Sequence, residues 1–185
     1  MRKVIYGMNV SLDGFIEEPD GKLDWGTPNA ELHQYFNDME RETGVHLYGR
    51  RLYETMRYWD TPEAVTNQPA VEVEYAHLWQ QVPTVVFSTT LDRVEGNARL
   101  VKEDIAAEVT RLKAQPGKDM VVGGAGLGKT FIELGLIDEY WLYVHPAVAG
   151  GGKPFFPAGI PLKLRLVETR SLPMGVVLLR YQHER

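Results

Sequence analysis

The densest chemical signal in this chain is Val121-Val122-Gly123-Gly124-Ala125-Gly126-Leu127-Gly128-Lys129-Thr130. An apolar run ends in glycines that open a helical pattern. Glycine lets backbone N–H groups approach an anion closely, and a helix N-terminus behind them adds a favourable dipole. The chemistry indicated is the binding of a phosphate. The same residues satisfy the spacing G-x-x-x-x-G-K-[ST] of a nucleoside-triphosphatase loop. Such a loop needs a magnesium-binding carboxylate on a later strand and normally follows the first strand of its sheet. Here it follows about the fourth strand of a strand–helix series. Asp138 and Glu139 come too soon after Thr130 and open a strand instead of ending one. A cradle of another kind is therefore expected, with Lys129 facing solvent. The triphosphatase stays as the weaker alternative, beside a turn that only packs a helix onto the sheet.

A second pattern of this sort is Gly49-Arg50-Arg51, where a short apolar run gives way to a helix. Two guanidinium groups there form a candidate anion site, although their sign opposes the helix dipole. A third strand end, Phe87-Ser88-Thr89-Thr90, offers hydroxyls to a ribose or its phosphate. Several phosphate-facing turns on neighbouring strands would suit a dinucleotide. The histidines, at 33, 46, 77, 145 and 183, have no metal-ligand spacing, and with no cysteine a thiolate site or nucleophile is excluded.

These turns need a scaffold, and the apolar periodicity supplies one. Strands are expected at Val4–Val10, Val45–Gly49, Thr84–Ser88, Met120–Gly123, Tyr140–Val148, Leu162–Val167 and Val176–Tyr181. Between them lie helices: one begun by Thr27-Pro28, one opened by Arg50, one over Val71–Val82 stopped by Pro83, one marked by Ile105, Val109 and Leu112, and one by Leu127, Phe131 and Leu134. Strand and helix alternate through residue 148, and two antiparallel strands around Pro173-Met174-Gly175 close the chain. This is an α/β layout with a mostly parallel sheet, in a single domain over residues 1–185.

Composition sets the outer limits. Net charge is −5, which argues against a nucleic-acid surface, because a phosphate backbone demands clustered Lys and Arg. No apolar stretch has membrane-spanning length, and Met1–Tyr6 runs into strand pattern without a signal-peptide core, so a cytoplasmic protein is expected.

Taken in order, the motifs resemble a family. Gly49-Arg50-Arg51-Leu52-Tyr53-Glu54 is similar to a cofactor motif of the dihydrofolate reductase superfamily, and Val121-Val122-Gly123-Gly124 to its pyrophosphate-binding Gly-Gly motif. Ser11-Leu12-Asp13-Gly14, Leu136–Tyr140, Pro146 and Gly150–Phe156 resemble the reductase domain of bifunctional riboflavin-biosynthesis proteins. The resemblance implies a dihydrofolate-reductase-like three-layer sandwich. It implies NADPH as cofactor and hydride transfer to a pterin-like or pyrimidine-like heterocycle, as in 5-amino-6-(5-phosphoribosylamino)uracil reductase. A nucleotide-binding protein of the same fold without turnover is the alternative.

By the same resemblance, Gly49, Arg50, Arg51, Leu52, Ser88, Thr89 and Gly123, Gly124, Ala125, Gly126, Leu127 hold the cofactor, with Met8 and Val10 as a nicotinamide shelf. Two departures stand out. Leu52 replaces the usual threonine, and Thr89 replaces the arginine that classical dihydrofolate reductases direct at the ribose 2′-phosphate. Glu31, one turn before Tyr35 and shortly after Trp25, resembles the acid and aromatics that hold a pterin, and Asp13 is the rival acid. Carboxylates dominate this region, at 13, 17, 18, 20, 24 and 31 against Lys22. That favours a neutral or cationic substrate unless Arg57 or Lys153 folds in. Leu162, Leu164 and Leu166 alternate with charged residues, and such reductases often pair through this region, so a homodimer is expected.

Overall fold

A computed structural model describes residues 1–184. The strands are β1 (Val4–Val10), β2 (Phe15–Glu17), β3 (Val45–Gly49), β4 (Thr84–Phe87), β5 (Ala98–Val101), β6 (Met120–Gly123), β7 (Glu139–Val144), β8 (Lys153–Pro154), β9 (Leu164–Ser171) and β10 (Val177–His183). The helices are α1 (Ala30–Glu42), α2 (Arg50–Met56), α3 (Ala70–Gln81), α4 (Ile105–Lys113) and α5 (Ala125–Glu133). Eight strands form one sheet in the order β5-β4-β3-β6-β1-β7-β10-β9. Pairing is parallel from β5 to β7 and antiparallel for β7-β10 and β10-β9. β2 and β8 pair separately as a short antiparallel ribbon.

Side chains alternate across each strand, so each sheet face carries its own core. On one face Val4, Tyr6, Leu47 and Val122 pack with Val109 and Leu112 of α4 and Leu127 and Phe131 of α5. On the other, Tyr143 and Leu178 pack with Leu32, Tyr35 and Phe36 of α1, while Tyr48 and Val86 pack with Tyr53 of α2 and Trp79 of α3. The result is three layers, helices–sheet–helices, as expected. Fully burying one side chain such as Phe131 contributes about 1.5–3 kcal/mol.

The departures from the expected elements have local causes. Helix α1 begins at Ala30 with Asn29 as its cap, whose Oδ1 accepts from Leu32 N at 2.9 Å, instead of at Thr27-Pro28. Asparagine is the better cap, and Thr27 ahead of proline is held extended. β7 stops at Val144, short of Val148, because Pro146 has no N–H to continue the ladder. β9 runs on to Ser171. β2, β5 and β8 were not expected. They are only two to four residues long, too short to display a period.

Candidate functional site

The parallel strands all point their carboxyl ends the same way, and the glycine-rich turns sit there. Tyr48 of β3 is in register with Gly123 of β6, and Gly49 with Phe87 of β4. Adjacent strands lie about 4.8 Å apart, so the turns after β4, β3 and β6 are immediate neighbours. They open onto one cleft of ≈ 800 Å³. Ser88, Thr89, Thr90 and Lys102 line one end; Gly49–Leu52 and Gly123–Leu127 line the middle; Met8, Ile16, Glu17, Leu23 and Lys153 line the other end. Ligands of open α/β sheets bind in such a crevice, beyond the strands' carboxyl ends.

Each turn has a physical reason for its residues. Gly124 sits at φ +89°, a conformation L side chains rarely adopt, and its N–H points at Met8 Sδ 3.4 Å away. A Cβ on Gly123 would meet Leu52 Cδ2 at 2.5 Å. Leu52 therefore fills the space that this glycine leaves, which accounts for a leucine where a hydroxyl was expected. Among the described residues the N–H groups of Ala125, Gly126 and Leu127 have no protein acceptor, and the space over Gly126 is open.

The arginine pair is divided in its contacts. Arg50 Nε donates to Glu54 Oε1 at 2.8 Å and Nη1 to Thr90 Oγ1 at 3.2 Å, which ties the turn after β3 to the turn after β4. Arg51 makes no ion pair among the described residues and lines the cleft. The Ser88 hydroxyl accepts from the N–H groups of Thr90 and Leu91, both at 3.2 Å, so it shapes its own turn, whereas Thr89 is exposed.

The triphosphatase alternative fails on backbone geometry. Helix α5 starts at Ala125, and Gly128 N already donates to Gly124 O at 2.9 Å. Residues 125–128, which would have to form the phosphate-wrapping loop, are thus already helical, and Lys129 faces Glu133 one turn on. Glu139 lies at the amino end of β7, away from the cleft, with its carboxylate taken by Lys3, Trp141, Arg180 and Gln182.

Five expected site residues are not brought to the cleft. Val10, on the same strand face as Met8 but one step further on, is 1% exposed within the core. Asp13 accepts from Ser11 Oγ at 2.6 Å and from the N–H groups of Ala149 and Gly150 at 3.0 and 2.8 Å, clamping the 146–152 loop. The Ser11 hydrogen bond and these loop amides hold its carboxyl below the usual range, which suits an ionised clamp better than a proton donor. Glu31 is exposed on the first turn of α1. Tyr35 packs with Phe36 and Tyr143 on the α1 face of the sheet. Trp25 stands edge-on to buried His145, ring centroids 5.4 Å apart. Conversely, Ile16, Leu23 and Lys102 line the cleft without having been expected there, and so do Glu17 and Lys153, which the sequence offered only as charges of the substrate region. Among the described residues no His, Asp or Glu group could hold a metal ion, and no helix is long and apolar enough to cross a membrane.

The model of the RibD C-terminal domain matches residues 2–178. The chain belongs to that family. Among relatives of this RibD-type domain, the uncharacterized protein YyaP of Bacillus subtilis strain 168 is 36% identical over 182 residues, covering 97% of this chain and 94% of its own. A solved chain from Shewanella sp. PV-4, ascribed to riboflavin biosynthesis, superposes with a TM-score of 0.78 at 23% identity, covering all of both chains. Dihydrofolate reductase of Enterococcus faecalis, solved with NADP(H), superposes at 0.66 with 14% identity over 99% of this chain and 97% of that one. The fold of this RibD-type domain is thus that of dihydrofolate-reductase-like proteins.

Proposed function

We propose that this protein is an NADPH-dependent reductase acting on a pterin-like or pyrimidine-like heterocycle. The observation that carries the reading is the meeting of three turns, after β4, β3 and β6, on one cleft. The residues fit an extended dinucleotide. The unpaired amides of 125–127 and the Arg51 guanidinium would hold the pyrophosphate, and Ser88–Thr90 with Lys102 would face the adenosine end. Met8 and Ile16 would form the apolar wall at the opposite end. A bound reduced nicotinamide supplies the hydride; the chain orients it and excludes water. The relatives' ties to riboflavin biosynthesis and to NADP(H) support this reading.

A nicotinamide-fluorescence titration with NADPH, NADH and ATP tests it. NADPH binds, ATP with magnesium does not, and Arg51→Ala weakens NADPH at least tenfold, since one charge-assisted phosphate contact is worth about 1.5–3 kcal/mol. ATP binding with NADPH inert would sink the proposal. A second reading, a binding protein without turnover, draws on the placement of Asp13 and Glu31 away from the cleft. Tight NADPH binding with no oxidation across pterins and pyrimidines would select it.

A further inference from the structure

We propose that the substrate is an uncharged heterocycle held by the Glu17–Lys153 pair, and that it carries no phosphate; this rests on the reductase reading above. Among the described residues that line the cleft, Glu17 is the one carboxylate and Lys153 the one cation at that end. Their side chains face each other across the β2–β8 ribbon, Lys153 Nζ to Glu17 Oε1 at 2.5 Å, about a third exposed. The surrounding wall is apolar: Met8, Ile16 and Leu23.

A phosphate monoester brings almost two negative charges near neutral pH. At this end it would face the Glu17 carboxylate, and the Lys153 ammonium is already paired with it. Among the described residues the nearby cations do not relieve this. Lys22 pairs with Asp20 at 3.0 Å and does not line the cleft. Arg57, which could have folded in, bonds Glu95 and does not line the cleft. Arg50 and Arg51 sit at the end of β3, two strands from β1, where the cofactor's own phosphates are expected. The cost of burying a poorly compensated charge therefore counts against the phosphoribosyl substrate.

A neutral lactam or amidine edge meets none of this. Its ring N–H can donate to Glu17 Oε2, which takes no hydrogen bond among the described residues, while its carbonyl accepts a remaining Lys153 proton. The flat ring then lies on the apolar wall. The backbone pre-sets the pair. A Cβ on Gly152 would lie 1.9 Å from Glu17 O, so the two backbones touch and only glycine fits beside Lys153. Phe155 N donates to Gly14 O at 2.9 Å, anchoring the ribbon's other end.

The test measures binding of 5-amino-6-ribosylaminouracil and its 5′-phosphate to the NADP⁺-loaded protein by equilibrium dialysis. The unphosphorylated compound is expected to bind at least tenfold tighter. Lys153→Met should weaken it at least tenfold. Glu17→Gln should tighten the phosphorylated compound at least fivefold, with the NADPH Kd unchanged within twofold as the check on folding. Equal or tighter binding of the phosphate by the unaltered protein overturns the proposal, as does failure of both compounds to bind while NADPH binds. Failure of NADPH itself to bind takes down the reductase reading instead.

Discussion

Gly124 and Gly126 stand two residues apart in one turn and obey different constraints. Gly124 at φ +89° has a backbone that a side chain strains, whereas Gly126 is helical with nothing within 4 Å of an added Cβ. Gly124→Ala should cost about 1–2 kcal/mol of stability. Gly126→Ala should add about 0.5–1 kcal/mol, because alanine is the better helix former. Both should weaken NADPH, the second because its methyl occupies the open space over the amides. Thermal melts paired with cofactor titrations check this, and a stabilised Gly126→Ala with undiminished affinity would remove those amides from the cofactor site. Turns of this kind were legible in the chain because their chemistry is local. Glu17 and Lys153 were not legible as a pair, since they are 136 positions apart and meet only when β2 and β8 do.

Elements are joined in this fold by a few buried polar residues, of which Glu139 reaches furthest. Its carboxylate takes hydrogen bonds from Lys3 beside β1, Trp141 on β7, and Arg180 and Gln182 on β10. Burial pushes its pKa up, but the four donors outweigh that and bring it down to about 2. The unfolded carboxyl titrates near the ordinary glutamate value of 4.5, so the folded form is the weaker proton binder. This stabilisation is complete above that value and is lost as pH falls towards 2, on the order of 3 kcal/mol in all. Glu139→Gln should lower neutral-pH stability and flatten the acid limb of a denaturation series. An unchanged limb would show that other carboxylates govern it. The main strands and helices were legible because each spans enough residues to display its period. The ribbon β2–β8 and the edge strand β5 were hidden, since two to four residues display none.

At the scale of the whole molecule the sheet leaves β9 as an edge with one unpaired side. Leu166 and Val167 on it are 49% and 41% exposed, on a strand longer than most edges. Pairing of two copies along β9 would cover both, and light scattering should give twice the 21.0 kDa chain mass. Leu166→Glu should halve that mass, and a monomeric unaltered protein would rule the pairing out. The order of strands has a consequence for synthesis. β1 ends at Val10 and is made well before its two neighbours, β6 and β7, which begin at residues 120 and 139. Its apolar side chains wait without a sheet partner until β6 follows, about 110 residues later, the situation in which nascent proteins most need chaperones.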